Sequence, residues 1–199
     1  MAGNGTVAGN SFVFASGSML APGSGGNNTG SLTMNGSLTL QLGSTNAVVV
    51  NKTTGIANSK VTGLTSVSIS GRLVVNSVGN ALAPGDAIQL FTAGSYAGNF
   101  TSFTPNTPGT GTFWNTSTLS TDGTIRVSSS TPTNITSVLN GNQLTLSWGA
   151  DHVGWTLQAQ TNNLGTNWSD VPGSTSASQI TFTINPANRD VFYRMILRQ

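Results

Sequence analysis

The stretch MLAPGSGGNNTGSLTMNGSLTLQLG, residues 19–43, decides the fold. Two runs of alternating apolar residues, Leu32 to Met34 and Leu38 to Leu42, flank Asn35 and Gly36, behind a segment rich in Gly and Pro. Alternation at period two marks a strand with one buried face, and Asn-Gly between two such runs is a strong short-range hairpin signal. The stretch is therefore expected to be turn, strand, Asn-Gly turn, strand.

The same grammar recurs in both directions. LAPG at Leu20–Gly23 returns at Leu82–Gly85, and LTMNGSLTL, residues 32–40, lines up with VSISGRLVV, residues 67–75, at an offset of 35. Both nine-residue segments alternate apolar positions about a central Gly. Self-similarity over a few tens of residues is the signature of stacked repeats. In a β-solenoid each short strand buries one face in the coil and pairs its backbone with the rungs above and below, while Gly or Asn turns the corner. SFVFA at Ser11–Ala15 supplies an earlier strand, and AVVVNK and SKVTGL continue the alternation, so the stack is expected to run to about Val78.

From Asp86 the side chains grow larger, with Leu90, Phe91, Tyr96, Phe100, Phe103 and Trp114 among them. A solenoid end exposes its interior, so residues 86–128 are expected to form a cap. Asp122 and Gly123, between Leu119 and Ile125, read as a hairpin turn.

SGSMLAPGSGGNNTGSLTMNGSLTL resembles the autotransporter-associated β-strand repeat of very large exported bacterial proteins, and LFTAGSYAGNFTSFTP through FWNTSTLSTDGTIRV is similar to the ending of such regions. The resemblance covers roughly residues 7–128 and implies a secreted or cell-surface, passenger-like protein. No translocator barrel follows in the sequence.

SSSTPT at Ser128–Thr133 reads as a linker, assigned to 129–133 between a solenoid unit at 1–128 and a second unit at 134–199. Beyond it, QLTLSW, WTLQAQ, WSDV, QITFTI and VFYRMIL are five strands separated by Asn, Gly and Pro turns, and Ile135 to Leu139 adds a sixth. Together they predict a small β-sandwich. LTLSW and FYRMIL resemble the matching strands of a fibronectin type III or immunoglobulin-like domain, although a further hairpin strand expected by that resemblance does not follow FYRMIL.

Composition agrees with a turn-dense all-β chain. Charged residues are 6%, net charge is +2, and Ser, Thr, Asn and Gly take the place of charge. Such side chains suit tight turns and solvent-facing strand positions. A field this weak does not suit a phosphate-tracking protein, so no nucleic-acid partner is expected. Cysteine is absent, which removes disulfides and thiolate chemistry. No apolar run approaches the ~20 residues of a helical membrane span. Residues 1–14 read as no signal peptide, so the chain is expected to be a piece of a longer exported protein or one whose leader was removed. The Asn-x-Ser/Thr sequons are what chance produces in this composition.

Candidate chemistry is sparse. The single histidine, His152, follows Asp151 in a loop between strands, and sequence adjacency is a poor position for an orienting carboxylate, so a solvated loop is expected. Asp86, Asp122, Asp151, Asp170 and Asp190 each sit beside a turn signal and read as turn residues, not as a glycosidase pair. No calcium-loop pattern occurs. No catalytic residue, metal or cofactor is assigned. Trp114, Trp155 and Trp168 are the candidate carbohydrate contacts, weighed against burial, which is favoured for each: Trp155 alternates with Leu157 and Ala159, Trp168 begins a short strand and Trp114 sits in the cap. Arg189, Arg194 and Arg198 read as a solvated face, with Phe192 and Ile196 beside Arg194 and Arg198 leaving room for a protein contact. Ser11, Phe12, Val13, Phe14 and Ala15 form the candidate self-assembly strand, since an open edge can pair with another copy.

The expected protein is all-β: a short β-solenoid with a cap, then a small β-sandwich. Its expected work is non-catalytic, structural or adhesive and extracellular, with homo-assembly into a fibre and a glycan or cell-surface ligand as the partners to test. The alternative is a carbohydrate-binding or accessory region of a secreted polysaccharide-degrading enzyme.

Overall fold

The computed structural model describes residues 1–23, 28–161 and 163–198, and the chain divides into two compact units, Met1–Val127 and Ser128–Gln199. The first unit is a parallel β-solenoid of about four turns. One of its sheets stacks Gly5–Phe14, Ser31–Leu40, the broken strand Lys60–Leu64 with Ser66–Ile69, and Phe91–Ala93 with Tyr96–Gly98. The other stacks Ala2–Gly3, Met19–Pro22, Thr45–Lys52, Arg72–Gly79 and Ser102–Thr104. Successive strands within both stacks are parallel, as coiling in one direction requires.

The alternation read in the sequence becomes the coil interior. Leu32, Met34, Leu38 and Leu40 point inward from one strand, Val61, Val67 and Ile69 from the rung below, and Val48, Val50, Leu73 and Val75 from the facing sheet. Each fully buried Leu or Val stabilises the stack by about 1.5–3 kcal/mol relative to exposure. Outward positions form hydroxyl columns: Thr6, Thr33 and Thr62 in one, Ser11, Ser37 and Ser66 in another. The Thr33 and Thr62 hydroxyls hydrogen-bond along their column at 3.2 Å.

Three sequence expectations are corrected here. Asn35 and Gly36 make no hairpin, because Ser31–Leu40 is one continuous strand. Gly36 is required for another reason. The neighbouring rung bulges at Gly9 and Asn10, and a Cβ on Gly36 would lie 2.5 Å from the Gly9 carbonyl oxygen. The repeat offset of 35 is not the structural register either: Leu38 pairs with Val67 and Leu32 with Val61, each 29 residues away. Residues 67–75 turn a corner from one sheet into the other, whereas 32–40 lie in one sheet; alternation at period two looks the same in both. Likewise Leu20 lies in the strand Met19–Pro22, whereas Leu82 is outside any strand, and the residue two rungs below Leu20 is Leu73. Residues 24–27 of the Gly-rich turn lie outside the described residues.

The stack also continues past Val78, to the rung ending at Ser102–Thr104. Over that rung lie a one-turn helix, Leu119–Asp122, and a sheet of Ala87–Gln89, Thr112–Asn115 and Thr124–Ser129. Gly123 is the helix C-cap at φ +71°, not a hairpin turn. Its carbonyl accepts from the Leu90 and Phe91 amides at 2.9 and 3.2 Å, and a Cβ there would meet the Phe91 oxygen. Only glycine satisfies both the left-handed backbone and that approach. Phe91, Phe100, Phe103 and Trp114 form a chain of ring contacts, 6.0–6.3 Å between successive centroids, that fills this end.

The second unit is a two-layer antiparallel sandwich. Thr136–Asn140, Gln143–Ser147 and Gln179–Thr183 form one sheet, and Ser169–Asp170, Thr156–Thr161 and Val191–Ile196 the other. Leu146, Trp148 and Leu157 are its buried centre, flanked by Ile180 and Phe182 from the first sheet and Tyr193 and Met195 from the second. Phe182 and Tyr193 meet across the layers at 5.1 Å between ring centroids.

Candidate functional site

His152 is not a solvated loop residue. The short 3-10 turn Ala150–His152 carries its ring inward, leaving it 6% exposed. Nδ1 lies 2.8 Å from the Asp151 carboxylate and Nε2 2.7 Å from the Thr131 carbonyl oxygen, with the Trp155 ring tilted against it at 5.6 Å. The adjacent Asp151 therefore does orient the ring, against expectation, because the 3-10 turn folds its carboxylate back. Both ring nitrogens face acceptors, so an imidazolium donates to both while either neutral tautomer donates to one. No ring nitrogen is free for a substrate. The arrangement is a clamp that holds the segment around Thr131 onto the second unit.

Trp155 belongs to the same clamp. Its indole donates to the Ser129 carbonyl at 2.8 Å, its ring is 5% exposed, and Ser129 is buried. Residues 129–131 are thus bonded in place. The sequence cue was Trp155 three positions after His152 with Gly154 between, a spacing closed by the β-turn in which the Trp155 amide donates to the His152 carbonyl at 3.1 Å.

The tryptophans proposed as sugar contacts divide. Trp114 is 8% exposed, donates to the Pro105 carbonyl at 2.9 Å and belongs to the aromatic chain of the first unit. Neither it nor Trp155 presents a ring face to a glycan. Trp168 is half-buried, with the Arg194 guanidinium 4.2 Å above its ring.

The carboxylates hold structure. Asp86 binds Lys52 at 2.6 Å and the Ala83 amide at 2.8 Å, and Asp170 meets Arg198 at 2.9 Å. Asp122 meets Arg126 at 2.7 Å and accepts from the Thr124 amide. Burial works to raise the Asp122 pKa, but the hydrogen bonds from Arg126 and Thr124 and the Arg126 charge outweigh it, so the carboxyl titrates below its usual range. Among the described residues no group of three or more His, Cys, Asp or Glu could hold a metal ion. No helix of the described residues is long and apolar enough to cross a membrane.

Ser11–Ala15 ends the solenoid's first rung. Ser11, Phe12, Val13 and Phe14 pair with Ser37–Leu40 on one side. Phe14 is buried in the coil, Phe12 is half-buried, and Val13 is exposed on the outer face. Among the described residues the rung's other backbone edge has no strand beside it.

A second open region lies within the sandwich. A cavity of about 430 Å³ opens between the layers, walled by Leu144 and Phe182 on one sheet and Ala159, Val191 and Tyr193 on the other, with Arg189 its single charged lining residue. Sequence reading missed it, since it arises from where two sheets fail to meet.

The fold defines an all-β protein in which a capped parallel solenoid precedes a small antiparallel sandwich. No protein-family model matches the sequence, no curated protein matches it, and no solved structure matches it.

Proposed function

We propose that this chain is a non-catalytic structural or adhesive protein of the cell exterior, in which the solenoid is a scaffold and the sandwich a module carried with it. The observation that carries this reading is the inequality of the solenoid's two ends. The fourth rung is covered by Leu119–Asp122, Gly123 and the cap sheet, whereas among the described residues no strand pairs with the outer backbone edge of Gly5–Phe14, where Val7 and Phe12 are half-buried. An edge of that length is a template for a further rung, whether from upstream chain or from another copy. The hydroxyl columns on the outer face offer an uncharged hydrogen-bonding grid suited to a glycan or other polar surface.

The test is mass and shape by light scattering and negative-stain imaging across a wide concentration range. Growth of oligomers or filaments with concentration, suppressed by Val13→Pro, is expected for edge pairing. A sharp monomer mass at every concentration removes self-assembly from the proposal and leaves adhesion, for which glycan-array binding is the readout. The accessory carbohydrate-binding reading rests on Trp168 alone among the three rings; loss of glycan binding in Trp168→Ala would favour it.

A further inference from the structure

We propose that the sandwich is a strand acceptor, taking an extended segment of a partner protein with apolar residues at alternate positions and a carboxylate at one end. Val191–Ile196 pairs with Thr156–Thr161 on one side, and its other backbone edge has no strand among the described residues. Gln179–Thr183 of the facing sheet likewise pairs with Gln143–Ser147 alone among the described residues. Phe182 of that strand and Val191 and Tyr193 of the other line one cavity, with the Phe182 and Tyr193 rings 5.1 Å apart, so these two edges border one opening. Ile184 and Val191 both line it and are 43% and 38% exposed.

The chemistry of the occupant follows from three features. Unpaired N–H and C=O groups along the edge select an extended backbone that supplies the complementary ladder. The cavity beneath, walled by Leu144, Phe182, Val191 and Tyr193, selects apolar side chains at every second position of that backbone. Arg189, at the mouth, is exposed and has no ion-pair partner among the described residues, so it selects a carboxylate there.

Edge strands are commonly protected by a charged side chain at mid-strand. Arg194 occupies that place but does not guard the edge: its Nε donates to Gln158 at 2.9 Å and its guanidinium lies on Trp168, both on its own sheet. The edge is left clear. A second copy of this chain is the less suitable occupant, because Ser11–Ala15, its apolar alternating candidate, has Phe14 buried in the coil and carries no acidic residue.

The full chain is titrated with a fluorescent short peptide of alternating Val and Thr ending in Asp, beside a scrambled peptide and one ending in Lys, while hydrogen exchange follows the strand amides. The expected result is binding of the alternating peptide with new protection at Val191–Ile196. Val191→Asn should weaken binding more than about threefold by placing an unpaired amide in the cleft. Arg189→Ala should weaken it about two- to fivefold, the worth of an exposed ion pair, and make the Asp and Lys peptides equal. Ile184→Ser, at an exposed position lining the cavity, checks the opposite wall in a variant whose folding is not in doubt and should also weaken binding. Equal binding of the scrambled peptide, no new protection in the strand, or unchanged affinity in both Val191→Asn and Ile184→Ser overturns the proposal. So does dimerisation through this edge without peptide binding, which would assign the cleft to a second copy.

Discussion

The indole of Trp155 donates to the carbonyl oxygen of Ser129 at 2.8 Å, across 26 positions of chain, and both residues are buried. This bond, with the one between His152 and Thr131, makes the segment entering the second unit part of its fold. Trp155→Phe keeps most of the ring and removes the donor, leaving a buried carbonyl unpaired. The expected cost is about 1–3 kcal/mol, read as a lower urea midpoint with unchanged m-value. A variant as stable as the parent would show that water takes over the bond.

Asn46 offers the opposite sign. It is 1% exposed, stands in the coil between Leu20 and Leu73 on neighbouring rungs, and among the described residues neither its amide nitrogen nor its oxygen has a hydrogen-bond partner. Asn46→Leu should therefore stabilise the first unit, by about 1–3 kcal/mol, and raise its thermal midpoint. A fall in the midpoint would mean that the column has no room for the branched side chain.

Gly36 and Thr65 occupy equivalent places on successive rungs, with the Thr65 amide donating to the Gly36 carbonyl at 2.9 Å. Only Gly36 faces a bulge in the adjoining strand. Gly36→Ala should cost about 1–3 kcal/mol through overpacking, whereas Thr65→Ala should change stability little. Calorimetry on both variants tests the pairing, and equal effects would contradict the bulge as the cause.

Two groups give pH dependence at opposite extremes. The Asp122 carboxyl is depressed in the folded state, so its contribution is present above the unfolded carboxylate pKa, about 3.9, and is lost as pH falls through the folded value. Burial raises the Tyr193 pKa, so its contribution is complete below the unfolded tyrosine value, about 10, and is lost as pH rises through the folded one. Asp122→Asn should flatten the acid limb of stability for the first unit, and Tyr193→Phe the alkaline limb for the second. Urea titrations at stepped pH provide the readout. Limbs that persist in both variants would place the titrating groups elsewhere.

The sequence by itself determined the class of fold. Period-two alternation through Leu32, Met34, Leu38 and Leu40, and again through Val61, Val67 and Ile69, is legible because a strand with one buried face needs nothing beyond its own residues to declare itself. The sandwich strands were readable on the same ground. Register was not. Whether Gly36 turns a hairpin or makes room for a neighbour's bulge, and whether Leu38 lies beside Val67 or beside another residue, depends on which backbone comes alongside, and alternation is indifferent to that choice. Tertiary structure alone placed His152 between Asp151 and Thr131, closed Gly123 over Phe91, and left Ile184 and Val191 around an open cleft. Each depends on contacts between residues distant in the chain, and those are set by how whole sheets meet.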